Sequence, residues 1–268
     1  MNATQPDLLD GVLLLNRGRD GEMTRDEALM LYCPIRAAIR RILSAAVPVC
    51  NQADLTRAAK QLGLWAEGKI FLPEGDKAAE MLSDIALFEA NQRGRRAFDH
   101  FLSDKARQFD ATDFELAQRM GKAFFSLFHC TARHGTAGIW IDDLLDGNRS
   151  LWLMDEGMEA SVPTRETFGM RLFDAGEFHV GLGIVVPADE ETTQFSVQSK
   201  THNGRLPFRH SLAATLYGDR LRDSLPIAPE LEDVFASLFG RLTSPGAGSR
   251  REIGASPTLL KARPRGRN

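Results

Sequence analysis

The sequence predicts an α+β protein: a helical N-terminal region, then a small antiparallel β meander or barrel, then C-terminal helices that pack back on the body. Three observations predict this order. Apolar residues recur at helical spacing as far as residue 128, alternate with a period of two between 129 and 187, and then return to helical spacing. The corresponding regions are 1–128, 129–187 and 188–243, and we expect residues 244–268 to form a disordered basic tail.

Length and composition are those of an ordinary globular protein. The chain has 268 residues, of which 43% are hydrophobic and 26% are charged, so it is long enough to bury a substantial core. These values exclude collagen-like, coiled-coil, fully disordered and disulfide-scaffold proteins. They indicate no particular activity.

Charge is distributed unevenly along the chain. The net charge is −3, but residues 250–268 carry six basic residues and one acidic residue, so residues 1–249 have a net charge of −8. An acidic body is not the surface of a protein that wraps nucleic acid. The basic tail offers nonspecific phosphate contacts at most, and its Pro, Gly and Ser content favours a solvated terminus.

The first predicted helix with a clear start signal begins at a capping box. Thr24 and Glu27 have the spacing at which their side chains satisfy free backbone N–H groups at a helix start. Pro34 interrupts the apolar stripe that follows, so it either kinks one helix or starts a second. The stripe consists of Ala28, Leu31, Tyr32, Ile35, Ala38, Ile39 and Ile42.

Further helices follow with their own start and stop signals. Gly63 is placed to end one of them in the left-handed conformation, and Thr112 with Glu115 forms a second capping box. The helix behind that box is expected to run through Phe124 to Phe128. The predicted helices span 51–64, 78–88, 93–109 and 112–128, with a short strand at 69–72.

The β module is predicted from a hairpin signal and from strict alternation. Asp146-Gly147 stands between the apolar runs 138–145 and 150–154, a strong signal for a tight hairpin. The segments 168–172 and 178–186 alternate with a period of two. Beyond the last strand we expect an acidic, Thr-rich loop and then two helices, whose apolar stripes begin at Leu212 and Leu231.

Two tryptophans occupy mirrored places on this hairpin. With Ile139 and Ile141 on one face, Trp140 and Trp152 would lie together on the other. A pair of exposed indoles would form a recognition surface for a peptide, a base or a ring. The alternative, which the helical half favours because it needs a surface to pack on, is that helices cover this face and both rings are core residues.

The middle of the chain carries motifs of a known module. They lie at 96–102 (RAFDHFL), 124–128 (FFSLF), 141–147 (IDDLLDG) and 168–172 (FGMRL). Residues from about 87 to 187 resemble a module of uncharacterised bacterial proteins, many of which end in a cysteine-rich SEC-C zinc motif. That family has no established catalytic residues, so the resemblance implies no chemistry. The terminal cysteine cluster is missing from this chain, so the resemblance implies no zinc site either.

Metal-binding templates fail on spacing. A calcium loop counted from Asp142 would need an oxygen ligand at position 3 and a glutamate at position 12, but leucines occupy both positions. His129, Cys130 and His134 carry suitable atoms for zinc, but they span a predicted junction and lack a partner pair. We therefore predict no metal site and no cofactor.

Other signatures point the same way. The sequence has no nucleophile elbow, no Cys/His catalytic signature and no phosphate-binding glycine loop. Its three cysteines are too scattered for a disulfide framework, and we interpret Cys33 and Cys130 as small buried hydrophobic residues. No signal peptide and no membrane-spanning stretch is recognisable, so we expect a cytoplasmic protein of bacterial type.

One segment suggests nucleic-acid binding. Asp54–Leu64 resembles the first helix and turn of a helix-turn-helix, and Arg57 and Lys60 are its candidate phosphate contacts. The segment that follows is an acidic helix start, which phosphates would repel.

Three functional hypotheses remain. The favoured one is a non-catalytic binding or adaptor module that holds an unknown protein partner through Trp140 and Trp152. The second is a nucleic-acid-associated regulator that uses Arg57 and Lys60. The third is an enzyme whose site is assembled from residues distant in the sequence, although we expect no catalytic activity.

Overall fold

The first half of the chain folds into helices around a short hairpin. A computed structural model describes residues 23–73, 76–203, 206, 208 and 210–224. The helices of this half are α1 (Arg25–Ala46), α2 (Gln52–Leu62), α3 (Asp76–Phe88), α4 (Ala97–Asp104) and α5 (Ala111–Met120), with 3₁₀ turns at Val47–Val49 and Ala106–Gln108. Strands β1 (Trp65–Ala66) and β2 (Lys69–Ile70) pair between α2 and α3.

The predicted caps of the first two helices are confirmed. The Thr24 hydroxyl accepts from the Glu27 N–H, and the Glu27 carboxylate accepts in return from the Thr24 N–H at 2.8 Å. Helix α1 continues through Pro34, which lies on its exposed side, so the proline does not divide it. Gly63 ends α2 with a φ of 75°, in the left-handed region that glycine tolerates best.

The last helix of this half differs from its prediction at both ends. Asp110, not Thr112, caps α5, because the Asp110 carboxylate accepts from the Asp113 N–H at 2.8 Å. The helix ends at Met120, and the strand β3 (Phe124–Arg133) begins where helix was expected. The spacing of Phe124 and Phe128 fits both structures, because residues four apart share one face in a helix and in a strand alike.

The β module is a closed barrel of five strands. After β3 come β4 (Ile139–Asp143), β5 (Arg149–Leu153), β6 (Thr167–Asp174) and β7 (His179–Pro187), with helix α6 (Glu156–Ser161) between β5 and β6. The order around the barrel is β3-β4-β5-β7-β6, closed by the pairing of β6 with β3. All pairs are antiparallel except β5 with β7, which run parallel. The predicted hairpin is the β4–β5 pair.

This strand order is that of the OB fold, a five-stranded Greek-key barrel. The first and fourth strands of the barrel pair, the third and fifth are parallel, and a helix joins the third to the fourth. The structure is therefore an α+β protein with a Greek-key barrel rather than a simple meander. The barrel begins at Phe124 rather than at residue 129.

The barrel interior is mainly apolar and also holds one buried polar pair, in which the Ser126 hydroxyl donates to the Asp143 carboxylate. Phe128, Ile141, Leu153 and Met170 are among the buried residues that meet inside it. Gly181 also faces inward, where a Cβ would stand 2.3 Å from the Met170 Cε, so the glycine makes room for that side chain.

Helices cover most of the outer surface of the barrel. One apolar cluster joins α1, α4 and α5 to Phe173 on β6 and Val180 on β7. A second cluster joins α2, α3 and α8 (Leu212–Ser224) to Leu127 on β3 and Val186 on β7. The outer faces of β3, β6 and β7 therefore pack against helices, in agreement with the prediction that C-terminal helices return to the body.

The segment after the barrel is helical where a loop was expected. Helix α7 runs from Glu190 to Asn203. The Asp189 carboxylate accepts from the Thr192 N–H at its start, and the Thr193 hydroxyl donates to the Asp189 carbonyl. The prediction failed because the helix lacks an apolar stripe, and because Thr and Ser are poor helix formers unless they cap or bond back to the backbone.

The remaining expectations concern the cysteines, membrane spans and the C-terminal region. Cys130 is buried in the barrel as predicted, whereas Cys33 is exposed because it lies on the outer side of α1. No helix in the described part of the chain is both long and apolar enough to cross a membrane. The predicted helix at 231–239 and the tail at 244–268 lie outside the described residues, and the domain boundaries stay predictions.

A candidate binding surface on the barrel

Two tryptophans are directly opposite each other on the outer face of the β4–β5 hairpin. The register pairs Trp140 with Trp152, while their neighbours Ile139 and Leu153 are fully buried inside the barrel. Since successive side chains of a strand point to opposite faces, both indoles must point outward. The sequence-based placement of the two rings on one face is confirmed.

His134 lies over this pair. It belongs to the loop 134–138, which joins β3 to β4. Its imidazole stacks on the Trp152 ring with centroids 4.0 Å apart and planes 5° from parallel, and its centroid lies 4.8 Å from that of Trp140. We call Trp140, His134 and Trp152 the aromatic surface.

The two indoles differ in burial. The Trp152 Nε1–H donates to the Ala137 carbonyl at 2.7 Å, and its ring meets the edge of Phe178 at 5.5 Å. Trp152 is thereby anchored against the cluster that α1 helps to form. Trp140 is 36% exposed, and its indole N–H makes no hydrogen bond to any described residue. The prediction that helices bury both rings is wrong for Trp140.

The backbone around the aromatic surface is constrained. Gly138 has a φ of 77°, and a Cβ there would stand 2.2 Å from the Leu153 carbonyl oxygen. Only glycine fits this approach of the loop to β5. At the other end of the loop the Thr136 hydroxyl donates to the Met23 carbonyl at 2.9 Å, so the start of α1 also holds the loop in place.

Charges next to the aromatic surface are mixed and mostly engaged. Asp142 shares the outer face of β4 with Trp140. Arg25 pairs with Glu159 on α6 at 2.7 Å, which lowers the pKa of that carboxyl through a hydrogen bond and raises the pKa of the guanidinium. Arg133 donates to the Met158 and Val162 carbonyls, both at 2.9 Å. Both of these arginines are therefore engaged with protein groups.

Arg57 and Lys60 both lie on helix α2 but differ in exposure. The Arg57 guanidinium is turned toward α3, donating to the Ala86 carbonyl at 3.4 Å, and lies 3.9 Å from the Asp54 carboxylate. Its Nε and one Nη are buried without a partner among the described residues. Lys60 is exposed, with its ammonium 5.3 Å from the Trp65 ring centroid. The structure does not bring these two residues near the tryptophans.

His134 is the residue of this surface that sequence reasoning missed. It was grouped with His129 and Cys130 as a failed zinc trio, but Cys130 points into the barrel while His129 contacts Thr167 at 3.2 Å on its outside. No three His, Cys, Asp or Glu residues of the described chain come together as a metal site. The available signal for His134 was its place in the loop that enters the tryptophan hairpin.

The opposite side of the barrel holds a buried ionic cluster. The Arg171 guanidinium, on the outer face of β6, donates to Asp84 of α3 at 2.9 Å and to Glu89 at 2.9 Å. Arg171 also lies 5.1 Å from the Phe88 ring centroid and 5.7 Å from that of Phe125. Burial by itself would lower the pKa of Arg171, but the two carboxylates outweigh burial and raise it. This cluster joins β6 of the barrel to α3 and to Glu89, the residue that follows that helix.

Comparison with known proteins places the chain in a family without assigning an activity. The model of a family of unknown function, DUF7986, matches residues 26–201. The chain belongs to this family. No curated protein and no solved structure matches the chain. The likeness of residues 87–187 to the module of SEC-C-containing proteins stays a prediction.

Proposed function

We propose that this protein is a non-catalytic binding module that holds a segment of a partner protein on the aromatic surface. The observation that carries the proposal is the exposed Trp140 ring beside a stacked and anchored His134–Trp152 pair. The setting we propose is the cytoplasm of a bacterial cell.

Pre-organisation supports a binding role. The Trp152 ring is held by the Ala137 carbonyl and by Phe178, and His134 is stacked on its face. His134 and Trp152 therefore form a fixed aromatic pair beside the exposed Trp140 ring, with little side-chain freedom of their own left to lose on binding. Rigid aromatic anchors of this kind contribute much of the affinity at protein interfaces.

The barrel topology supports the location of the proposed binding surface. OB-fold barrels bind ligands on the face of their second and third strands and at the loops that join the first to the second and the fourth to the fifth strand. The corresponding parts here are β4, β5 and the loops 134–138 and 175–178. The aromatic surface lies among them, because Phe178 belongs to the second of these loops. This argument by fold analogy concerns the position of the site, not the ligand.

Electrostatics favour a protein over a nucleic acid as the partner. Single-stranded nucleic acids need cations along the groove in addition to stacking rings. Here Asp142 accompanies Trp140 on β4, while Arg25 and Arg133 are engaged with protein groups. Residues 1–249 also carry a net charge of −8. A peptide segment with an aromatic or aliphatic side chain and no excess negative charge fits this surface better.

A photo-crosslinking experiment tests the proposal. A benzophenone amino acid would replace Trp140 in the full chain inside its native cells, and the mass of the adduct would report the class of the partner. We expect a discrete protein adduct that disappears when His134→Ala removes the stacked ring. Phe71 is the matched control position. It is 60% exposed and directly follows β2, outside the barrel.

Two outcomes would contradict the proposal. Nucleotide adducts at position 140 would assign the surface to nucleic acid. Equal adduct yields at positions 140 and 71 would mean that Trp140 marks no specific interface.

The nucleic-acid alternative based on Arg57 and Lys60 gains no support from the geometry. The Arg57 guanidinium faces α3 rather than solvent, which leaves Lys60 as the exposed cation of the pair. Loss of salt-dependent duplex DNA binding on Lys60→Ala would be needed to revive it.

A further inference from the structure

A charged cleft opens at the end of the barrel where β3, β5 and β7 begin. Its volume is about 510 Å³, and helix α5 forms its other wall. This size is within the range of small-molecule sites, about 300–1,000 Å³. The cleft is lined by other residues than the aromatic surface, so what it binds is independent of the function proposed above.

Three cations from three segments converge on the cleft. They are Arg119 near the end of α5, Lys122 in the turn after it, and Arg149 at the start of β5. Lys122 makes no ion pair with any described residue. The Arg149 Nε lies 3.2 Å from the Asp146 carboxylate and forms an ion pair with it. Arg119 donates from its Nε and one Nη to the Glu115 carboxylate. N–H groups of all three side chains are therefore left without an acceptor among the described residues.

The two carboxylates of the cleft are already engaged. Glu115 accepts both of the Arg119 hydrogen bonds, at 2.9 and 3.2 Å. Asp174 accepts from the Gly176 N–H at 2.8 Å, which fixes the turn between β6 and β7. The cleft therefore has one more positive than negative side chain, on a body that is acidic as a whole.

His179 and Phe124 complete the lining. His179 begins β7, and its ring makes no hydrogen bond to a described residue. Burial lowers the pKa of His179, and the positive charge of Arg149 lowers it further, whereas the negative charge of Asp174 raises it. The lowered pKa favours the neutral ring, which has one N–H donor and one acceptor nitrogen. Phe124 is half-buried and supplies an apolar wall.

We propose that this cleft binds a small organic phosphate, with its phosphoryl group among Lys122, Arg149 and Arg119 and its organic part on Phe124. Donors that approach from three separate segments suit a tetrahedral oxyanion, whereas a planar carboxylate is matched by a single guanidinium fork. A bare phosphate ion would leave most of the volume empty, so the organic part contributes to binding by covering the ring.

Calorimetric titration of the full chain with phenyl phosphate tests the proposal. We expect saturable binding that is tighter than that of inorganic phosphate or benzoate, because only phenyl phosphate offers both parts. In a proton NMR titration the His179 ring resonances should move and its pKa should rise when the dianion is bound, since a nearby negative charge favours the imidazolium.

Two kinds of variant refine the test: loss of a cation should weaken phenyl phosphate binding, and loss of a carboxylate should tighten it. Lys122→Ala and Arg149→Ala should each weaken binding about fivefold, the size expected for one partly exposed charged hydrogen bond. Asp174→Asn should tighten it, because the amide oxygen can still accept from Gly176 while the negative charge is gone. Lys105→Ala and Arg40→Ala are matched controls at exposed positions away from the cleft and should leave the affinity unchanged.

Absence of saturable phenyl phosphate binding by the wild-type chain would overturn the proposal. So would binding that Lys122→Ala and Arg149→Ala leave intact, because the ligand would then lie elsewhere. Both variants change exposed side chains, so unfolding is not expected, and circular dichroism of each variant checks this.

Discussion

Arg171 on β6 and Trp140 on β4 both point outward from the same barrel, but Arg171 is buried and Trp140 is exposed. Arg171 lies under α3, is 5% exposed at its side chain, and is bonded to two carboxylates. Trp140 is 36% exposed although it is one of the most apolar residues of the chain. From polarity alone we would expect the tryptophan to be buried and the arginine to be exposed.

The difference follows from how the helices are arranged around the barrel. They cover the outer faces of β3, β6 and β7, and a charge trapped beneath them is stable only when it is fully paired. The β4–β5 hairpin meets this cover at Trp152 and where the start of α1 reaches the loop 134–138, whereas Trp140 is exposed. The covered side is built for stability, whereas the open side keeps apolar area available for a partner.

The largest effect is expected from breaking the ionic cluster on the covered side. Arg171→Met would leave Asp84 buried without a cation, which should destabilise the fold by about 3–5 kcal/mol. Urea unfolding followed by circular dichroism measures this change.

A second variant separates the charge effect from packing. Asp84→Leu combined with Arg171→Met removes both charges and should recover much of the lost stability. Arg96→Met, which removes an exposed ion pair with Asp99, should cost less than about 1 kcal/mol. If the double variant were as unstable as Arg171→Met, the buried carboxylate would not be the cause.

A backbone change should disrupt the open side next most strongly. Gly138→Ala would place a Cβ 2.2 Å from the Leu153 carbonyl oxygen at a positive φ, and we expect a loss of about 2–4 kcal/mol. Gly147→Ala is the matched control, since Gly147 also has a positive φ but has open space around it, and about 1 kcal/mol is expected there. Equal losses in thermal unfolding would mean that the contact with β5 is unimportant.

The two tryptophans should respond differently to truncation. Trp152→Ala removes a ring anchored to Ala137 and Phe178, so we expect it to cost about 2–3 kcal/mol, toward the lower end for buried aromatic residues. Trp140→Ala should cost below about 1 kcal/mol because the ring is partly in solvent. Comparable losses in chemical unfolding would show that Trp140 is a structural residue and would weaken the proposed binding role.

The smallest effect is expected deep on the covered side. The Tyr217 hydroxyl is buried and makes no hydrogen bond of normal geometry to a described residue, and burial raises the pKa of this phenol well above its ordinary value. Tyr217→Phe removes a polar group that gains little in the folded state, so unfolding free energy should change by less than about 1 kcal/mol. A loss above 2 kcal/mol would show that the hydroxyl has a strong partner.

Local signals in the sequence were sufficient for most elements. The caps at Thr24 and Gly63, the hairpin marked by Asp146-Gly147 and the strand with alternation through 178–186 each depend on interactions within a few residues, and all four are present. The hairpin turns over residues 144–148, with positive φ angles at Gly147 and Asn148. The errors occurred where local rules are ambiguous. Phe124 and Phe128 fit helix and strand equally, and the Thr-rich start of α7 shows no apolar stripe.

The site could be predicted only in part for the same reason. Alternation along β4 and β5 places Trp140 and Trp152 on one face, and this follows from the sequence alone. The stacking of His134 depends on how a loop folds over the hairpin, and the burial of Arg57 depends on where α3 lies. Neither arrangement leaves a pattern in the neighbouring residues.

The sequence by itself determined the class of the fold, the hairpin and the shared face of the two indoles, because backbone hydrogen bonding and side-chain periodicity act over short distances. The tertiary structure alone decided the parallel pairing of β5 with β7, the burial of Arg171 and the exposure of Trp140. These depend on which elements, far apart in the chain, compete to cover a limited barrel surface.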